Sequence, residues 1–266
     1  MDDPTFHQIL AHFNLSPQGY HKVRKGVKKR LSRHMQQLSC AHVHEYLTVL
    51  TQDPGAEDAC RIHLTVSISR FFRDRGLWDT LANPIVPRMT AGFEGLFRVW
   101  SCGCARGEEA YSFKILWRRL QPSIELPELA LWGTDMNPDY IEMARQGTYT
   151  LSSLKEVPPD IMADYFDKIP GKQLYAVKPA LKDGVRLKRH DILKSLPPAP
   201  HFELIFVRNN LLTYYRPPEK DRALEEIVGS LSPGGALVTG AHEKLPDGFT
   251  GLRAAPEHPW IYVKSG

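Results

Sequence analysis

Two glutamates stand side by side at positions 108 and 109, directly after the small-residue run of VWSCGCARGEEAYSFKILW (Val99–Trp117). Gly103 and Gly107 lie where a strand-to-helix turn lets backbone approach a ligand closely. A phosphate loop would end in GK[ST], and a dinucleotide fingerprint would read G-x-G-x-x-G; the sequence here is G-C-A-R-G-E-E and fits neither template. Paired carboxylates at a helix start are poor company for a pyrophosphate, but they suit a ligand that presents a cation. The Cys102-x-Cys104 pair is read as small packing residues, because one intervening residue seldom lets two thiolates chelate one metal, and no further His or Cys pair lies beside it. No metal is therefore expected.

A second acid, Asp135, closes the apolar run LALWGTD some 30 residues further on. At a strand end it can accept hydrogen bonds from both hydroxyls of a ribose, as in the dinucleotide folds. It can equally cap the helix starting near Pro138, and position alone does not separate the two roles. A ribose without a phosphate, attached to a positive centre, is what S-adenosyl-L-methionine offers.

Holding such residues together requires a sheet, and the chain supplies its rhythm. LFRVWS, LALWGTD and FELIFVRN are short apolar runs, each ending in a loop that leads toward a helical pattern such as Glu108 to Leu120 or Pro138 to Gln146. This is the alternation of βαβ units in a mostly parallel sheet. LSPGGALVTGAHEKLP adds a helix end, a Pro-Gly-Gly turn and another buried strand. Residues up to about 75 read as helices throughout, including SCAHVHEYLTVL and EDACRIHLTVSISRFF, separated by the turn TQDPGAED.

The 266 residues are 42% apolar and carry a net charge of +4, enough for a full core in one large or two smaller domains. No apolar stretch approaches the roughly 20 residues of a membrane helix, and MDDPTFHQIL lacks a secretion-signal pattern, so a cytoplasmic protein without membrane insertion is expected. Cys40, Cys60, Cys102 and Cys104 are too irregularly spaced for a disulfide framework and are expected as reduced thiols. The charge is uneven: no Asp or Glu occurs between Thr5 and His44, while HKVRKGVKKRLSRH carries Lys22, Arg24, Lys25, Lys28, Lys29, Arg30 and Arg33. With Val23, Val27, Leu31 and Met35 as a buried stripe, this segment is expected to be an amphipathic helix with its cations outward, facing an acidic partner. A protein partner is favoured over nucleic acid, the rival for a basic face.

The ordered set LTVSISRFFRD, VWSCGCARGEEAYS, WGTDMNPDYIEMARQGTY, LKRHDIL, LIFVRNNLLTYY and LSPGGALVTGAHEKLP resembles the chemotaxis receptor methyltransferase (CheR) family, S-adenosylmethionine-dependent protein-glutamate O-methyltransferases. The resemblance covers nearly the whole chain, which reads as a divergent member. It implies an α/β protein: an N-terminal all-helical domain (1–75) with the basic helix, then a Rossmann-like methyltransferase domain (76–266) with a small antiparallel β insertion at about 151–188. It implies cofactor contacts at Ser67, Ser69 and Arg73, at Gly103, at one or both of Glu108 and Glu109, at Asp135, at Asp191 and Ile192 beside the adenine, and at Arg208 and Asn209. S-adenosyl-L-homocysteine is the product. Arg73 and Tyr214 are the implied groups for orienting the acceptor.

Departures from the family pattern bear on the acceptor. Where receptor enzymes carry a tyrosine near the transferred methyl, NNLLTYY has Thr213, with Tyr214 in the next place, and GHSE becomes GAHE at Gly240–Glu243. A glutamate acceptor, with a reference pKa of about 4.3, is already ionised and needs no general base; a hydroxyl or ammonium acceptor does, and His190 and His242 are the nearest candidates. The first expectation is a protein-carboxylate methyltransferase acting on an acidic protein such as a chemoreceptor cytoplasmic helix. The alternatives are a related methyltransferase with a small-molecule or non-receptor protein acceptor, and a noncatalytic S-adenosylmethionine-binding regulator.

Overall fold

Asp2, Asp53 and Asn137 each accept a backbone N–H of a first helical turn, from Thr5, Gly55 and Asp139, and each such turn contains a proline. These caps satisfy donors that the helix itself leaves unbonded, while proline, lacking an N–H, loses nothing there. A computed structural model describes residues 1–265. In chain order the helices are α1 (Asp3–His12), α2 (Pro17–Tyr20), α3 (Arg24–Gln37), α4 (Val43–Gln52), α5 (Pro54–Leu64), α6 (Arg75–Thr80) and α7 (Val86–Thr90), the last two joined by a π-helical turn over Leu81–Ile85. There follow β1 (Leu96–Cys102), α8 (Glu108–Leu120), β2 (Glu128–Asp135), α9 (Pro138–Gln146), β3 (Thr148–Thr150), α10 (Pro159–Tyr165), β4 (Phe166–Lys168), β5 (Leu174–Val177), α11 (Pro179–Lys182) and β6 (Val185–Arg189). The chain ends with β7 (Phe202–Val207), α12 (Leu211–Tyr214), α13 (Glu219–Gly229), β8 (Leu231–Thr239), β9 (Leu252–Ala255) and β10 (His258–Lys264). Among the described residues no helix is long and apolar enough to cross a membrane.

The chain divides into two compact units. The first is Met1–Ser67 together with Asn210–Arg222, the second Ile68–Asn209 together with the chain from Ala223 onward. The sequence expectation put the boundary near residue 75 and had no returning segment. Helix α5 also stops at Leu64, short of the expected run to Phe72, and Arg30 holds the released carbonyls: its Nε donates to His63 O (2.9 Å) and its Nη2 to Thr65 O (2.7 Å).

In the helical unit, Phe6, Ile9, Leu10, Val27, Leu31, Tyr46, Leu50, Cys60 and Leu64 form the core. Burying each large side chain contributes about 1.5–3 kcal/mol. Helix α3 turns Val27 and Leu31 inward as its spacing predicts, and Lys22, Lys25, Lys29 and Arg33 are exposed. Two of the expected outward cations are instead tied into the unit: Lys28 Nζ lies 2.5 Å from Asp3 Oδ1, and Arg30 holds the end of α5.

The second unit is built on a seven-stranded sheet of order β6-β2-β1-β7-β8-β10-β9, covered by helices such as α8 and α9. Strands β6, β2, β1, β7 and β8 are parallel, and β10 is antiparallel to both β8 and β9. Phe97, Val99, Leu131, Leu204, Phe206, Val238 and Ile261 pack with Trp78, Phe113 and Trp117 in its core. The expected Pro-Gly-Gly turn lies within the span of β8, where five steps from Leu231 to Ala236 pass two on β7, Phe202 to Leu204, and Gly234 takes a positive φ of 74°. A small antiparallel sheet β3-β5-β4 spans residues 148–177, whereas β6, inside the expected insertion of 151–188, is an edge strand of the main sheet. From β1 the chain moves outward through β2 to β6 and returns at β7, so the strand order reverses between β1 and β7. In open α/β sheets, ligands bind beyond the carboxyl ends of the strands at such a switch point.

Candidate active site

Strand β1 delivers the loop Gly103–Gly107 to the switch point. Gly103, Ala105 and Gly107 all have positive φ, at 78°, 48° and 86°. A Cβ on Gly107 would come within 3.0 Å of Ala144 Cβ and 3.2 Å of the Tyr111 ring, so this glycine is required by crowding as well as by conformation. The N–H groups of Gly103 and Cys104 both donate to Thr134 O at 2.8 Å, which binds the loop to the end of β2. Cys102 and Cys104 are buried, and burial pushes both thiols up, so they pack as neutral side chains.

The two glutamates that follow have opposite fates. Glu109 Oε1 accepts from Ser101 Oγ at 2.7 Å and Oε2 from Arg208 Nη1 at 3.0 Å. Glu108 is fully buried, yet neither of its oxygens has a well-formed hydrogen bond; its nearest cation is Arg106 Nη2 at 3.4 Å. Burial raises its carboxyl above the ordinary range, against Arg106 and the nearby Ser69 hydroxyl, which favour the charge. A buried carboxylate without donors is complementary to a cationic group.

Asp135 ends β2. Its Oδ2 accepts from Ala105 N (3.0 Å) and its Oδ1 from Asn137 N (2.9 Å), while burial, the larger effect, pushes its pKa up to about 6. The cap of α9 belongs to Asn137, whose Oδ1 accepts from Asp139 N at 3.0 Å, so that alternative for Asp135 is closed. After β6, Asp191 Oδ1 accepts from Leu193 N at 3.0 Å and Ile192 is buried. His190 beside them is buried, with Nε2 2.9 Å from Leu196 O and its ring edge-to-face on Trp100, the arrangement of a packed strand-end histidine. His242 is exposed.

After β7, Arg208 is the hub of an ion-pair network. It reaches Glu109, Asp74 Oδ2 at 2.5 Å and Arg73 O at 3.2 Å. Arg73 Nη1 donates to Ile68 O at 2.9 Å and its Nη2 to Asn209 Oδ1 at 3.3 Å, so its bonds are to a carbonyl and an amide, with no acid. Asn209 is left-handed at φ 53°, and its N–H donates to Glu243 Oε2 at 2.7 Å. The same oxygen accepts from Gly240 N at 2.8 Å, and a Cβ on Gly240 would lie 2.7 Å from it.

Glu108, Glu109, Asp135, Asp191, Ile192, Arg208, Asn209 and Gly103 thus follow or end parallel strands of one sheet, joined by the Ile68–Asp74 segment through Ser69 and Arg73. Ser67 and Tyr214 are counted with the helical unit, where the Tyr214 ring packs 4.9 Å from that of Tyr20. Asp74 and Glu243 were not singled out as site residues. Asp74 gives no local signal, since its partner lies 134 residues away in the chain; Glu243 is the residue of the GAHE pattern that keeps its acid. Several buried polar atoms without a hydrogen-bond partner lie after or at the ends of these strands: on Arg106 and Glu108 after β1, His190 after β6, Arg208 after β7 and Thr239 at the end of β8, with others on Asp221 and Glu257 elsewhere. Such atoms are rare in folded proteins and are expected where a ligand supplies the missing partners.

Residues 67–257 match the family described as CheR methyltransferase, SAM binding domain. A chemotaxis protein methyltransferase of Listeria innocua is 30% identical over 76% of this chain and 74% of its own length. Chemotaxis protein methyltransferase 1 of Pseudomonas aeruginosa is 29% identical over 86% of each chain. An uncharacterized 104.1 kDa protein of Rhodobacter capsulatus is 29% identical over 90% of this chain, which spans 25% of that protein's length.

Proposed function

We propose, from the premise that this chain belongs to the CheR family of S-adenosylmethionine-dependent methyltransferases, that it methylates a glutamate carboxylate on an acidic protein in the cytoplasm, of the kind a chemoreceptor cytoplasmic helix presents. The relatives named as chemotaxis methyltransferases support the receptor part of this reading. The observation that carries the cofactor site is Glu108 at the head of α8, fully buried and faced only by Arg106 at 3.4 Å and the nearby Ser69 hydroxyl, with no well-formed hydrogen bond. This donor-poor carboxylate fits the ammonium of a methionine moiety, and Asp135 fits the two ribose hydroxyls as acceptor. Asp191 and Ile192 would flank the adenine. Asn209 and Ser69 complete the set; Glu109 and Arg208 hold its frame through their mutual ion pair.

When bound, the cofactor supplies an electrophilic methyl group on a sulfonium. The protein's part is alignment and exclusion of water. An acceptor glutamate is ionised at neutral pH, so no residue need remove a proton, and its oxygen must be held about 3 Å from the methyl carbon, opposite the sulfur. Arg73 is the proposed orienting group: its two hydrogen bonds leave further guanidinium donors for a carboxylate. The exposed Lys25 and Lys29 of α3 supply an attraction for an acidic acceptor.

Labelled S-adenosylmethionine incubated with a cell lysate, split into protein and small-molecule fractions and then treated with mild alkali, tests the reading. Protein-bound label released as methanol is expected. Label that is stable to alkali, or confined to small molecules, would overturn the carboxylate acceptor.

A further inference from the structure

One carboxylate joins the ends of β7 and β8. Glu243 Oε2 accepts from two backbone donors, Asn209 N at 2.7 Å and Gly240 N at 2.8 Å, and Glu243 N donates in turn to Gly240 O at 3.0 Å. Glu243 is buried, so these N–H groups act on a carboxylate largely removed from water, where hydrogen bonds to a charge are strong. Asn209 stands in the left-handed region at φ 53°, a conformation that asparagine tolerates when its surroundings fix it. Its Oδ1 accepts from Arg73 Nη2 at 3.3 Å, so the amide N–H groups are what it offers a ligand. Gly240 is the point of closest approach: a Cβ there would stand 2.7 Å from Glu243 Oε2 and 3.0 Å from Asn209 Oδ1. Arg73, Asn209, Gly240 and Glu243 all belong to the sheet unit.

We propose that Glu243 is a positioning residue for cofactor binding, and that it acts through Asn209: by holding the left-handed backbone of that residue it presents the Asn209 amide at the strand ends. The inference rests on the cofactor reading above, in which Asn209 is one of the contacts. The bond from Asn209 to Glu243 is made by the backbone N–H, so it sets the conformation of the residue and leaves the side chain to the ligand. A glutamate suits the place because a single oxygen accepts both N–H groups, which ties the residue after Arg208 to the turn that follows β8.

The test is a mutant cycle read by calorimetry, with S-adenosylmethionine and S-adenosylhomocysteine as the ligands. The parent is compared with Glu243→Ala, Glu243→Gln, Asn209→Gly and the double variant Asn209→Gly with Glu243→Ala. Glycine at 209 keeps the backbone N–H, tolerates the left-handed region and removes only the amide. Asn209→Gly and Glu243→Ala are each expected to weaken both ligands about fivefold to thirtyfold. The double variant is expected to bind within about twofold of Asn209→Gly alone, because no amide is left to place. Glu243→Gln keeps an oxygen able to accept both N–H groups and is expected to bind within about threefold of the parent. A carboxylate that merely stabilised the fold would weaken binding by the same factor whichever residue stands at 209. Losses that multiply in the double variant, a Glu243→Gln as weak as Glu243→Ala, or a Glu243→Ala that binds like the parent would each overturn the proposal. Should Glu243→Ala fail to fold, Gly240→Ala crowds the carboxylate and the amide together, and the same comparison with and without Asn209→Gly decides. A parent that binds neither ligand overturns the cofactor reading and this proposal together, whereas a parent that binds, with multiplying losses, overturns this proposal alone.

Discussion

The helical unit and the sheet unit differ in how far their buried polar groups are satisfied. In the helical unit, Tyr20 OH donates to Leu64 O at 3.1 Å, His34 Nδ1 lies 2.7 Å from Tyr46 OH, and Arg30 is spent on two carbonyls, while Asp221 Oδ1 is buried without a hydrogen-bond partner. In the sheet unit, atoms of Arg106, Glu108, His190, Arg208 and Thr239 after or at the ends of strands, and of Glu257 elsewhere, are buried without one. Burying polar groups without partners costs about 1–3 kcal/mol each, more when charged. The larger share of this cost falls on the sheet unit, at the strand ends where the cofactor is proposed to bind.

Neighbouring glutamates put this contrast within one helical turn. Glu109→Ala removes one acceptor from the nearly buried Arg208, which keeps Asp74, and is expected to cost about 1.5–3 kcal/mol of stability, measured by urea denaturation. Glu108→Gln removes a buried carboxylate whose burial outweighs its weak contacts with Arg106 and Ser69. It is expected to raise the stability of the cofactor-free protein by on the order of 1 kcal/mol and to weaken cofactor binding by about tenfold or more. A stability loss at Glu108 as large as that at Glu109 would break the comparison, since both acids would then be structural.

Asp135→Asn comes next in size. The hydrogen bonds proposed between its carboxylate and the sugar hydroxyls would be charge-assisted, worth roughly 1.5–3 kcal/mol, so cofactor affinity is expected to fall at least several-fold in calorimetry. With the Asp135 pKa pushed up to about 6, binding in the parent is expected to weaken as pH falls through that value, because the protonated acid loses acceptor strength. The mutant should lack this pH dependence; equal affinities in mutant and parent would remove Asp135 from the ribose.

Strands β1, β2 and β7 were legible because a buried parallel strand is a short apolar run, and the loop after β1 because its glycines, Gly103 and Gly107, mark a close turn. The division of labour between Glu108 and Glu109 was not, because it is decided by Arg208 and Ser101, which reach only one of the pair. Strand β6 was absorbed into the expected insertion because an edge strand needs no apolar run: VRLKR exposes Arg186, Lys188 and Arg189. The end of α5 was misread because Arg30, more than 30 residues earlier, supplies the stop. The returning segment 210–222 carries no local sign of its partners, which are the Asn14 side chain, the Leu15–Tyr215 bridge, the Ser16 N–H and the space above Gly19, all some 200 residues earlier.

The two units also differ in their response to acid. Burial lowers the pKa of His34 and His63, with His63 further lowered by Arg30 and Arg33. A histidine with a depressed folded pKa binds fewer protons folded than unfolded, so the helical unit loses stability as pH falls through the unfolded value of about 6.5. Glu108 and Asp135 have raised pKa values, so the folded sheet unit binds more protons than the unfolded chain between about 4 and 6 and gains stability as pH falls there. His258, depressed by burial, opposes this gain within the sheet unit. Hydrogen exchange corrected for intrinsic rates, compared at pH 7 and 5.5, is expected to show weaker protection in α3–α5 and equal or stronger protection in β1, β2 and α8. Parallel changes in both units would remove the contrast.

The smallest effect is expected at the surface of α3. Lys25 and Lys29 are exposed, unlike Lys28, which is held by Asp3, and Arg30, which caps carbonyls. Exposed charges contribute little to folding, commonly below about 1 kcal/mol each, so Lys25→Glu with Lys29→Glu should leave the melting temperature almost unchanged. In the proposed reading their field acts on the acceptor: reversing both is expected to raise the KM for an acidic protein acceptor several-fold and to flatten its salt dependence, with cofactor affinity untouched. Nucleic acid, the rival partner for a basic helix, would announce itself by binding the parent with an affinity that falls steeply with added salt. An unaltered KM in the double variant would return α3 to the role of a solvated face.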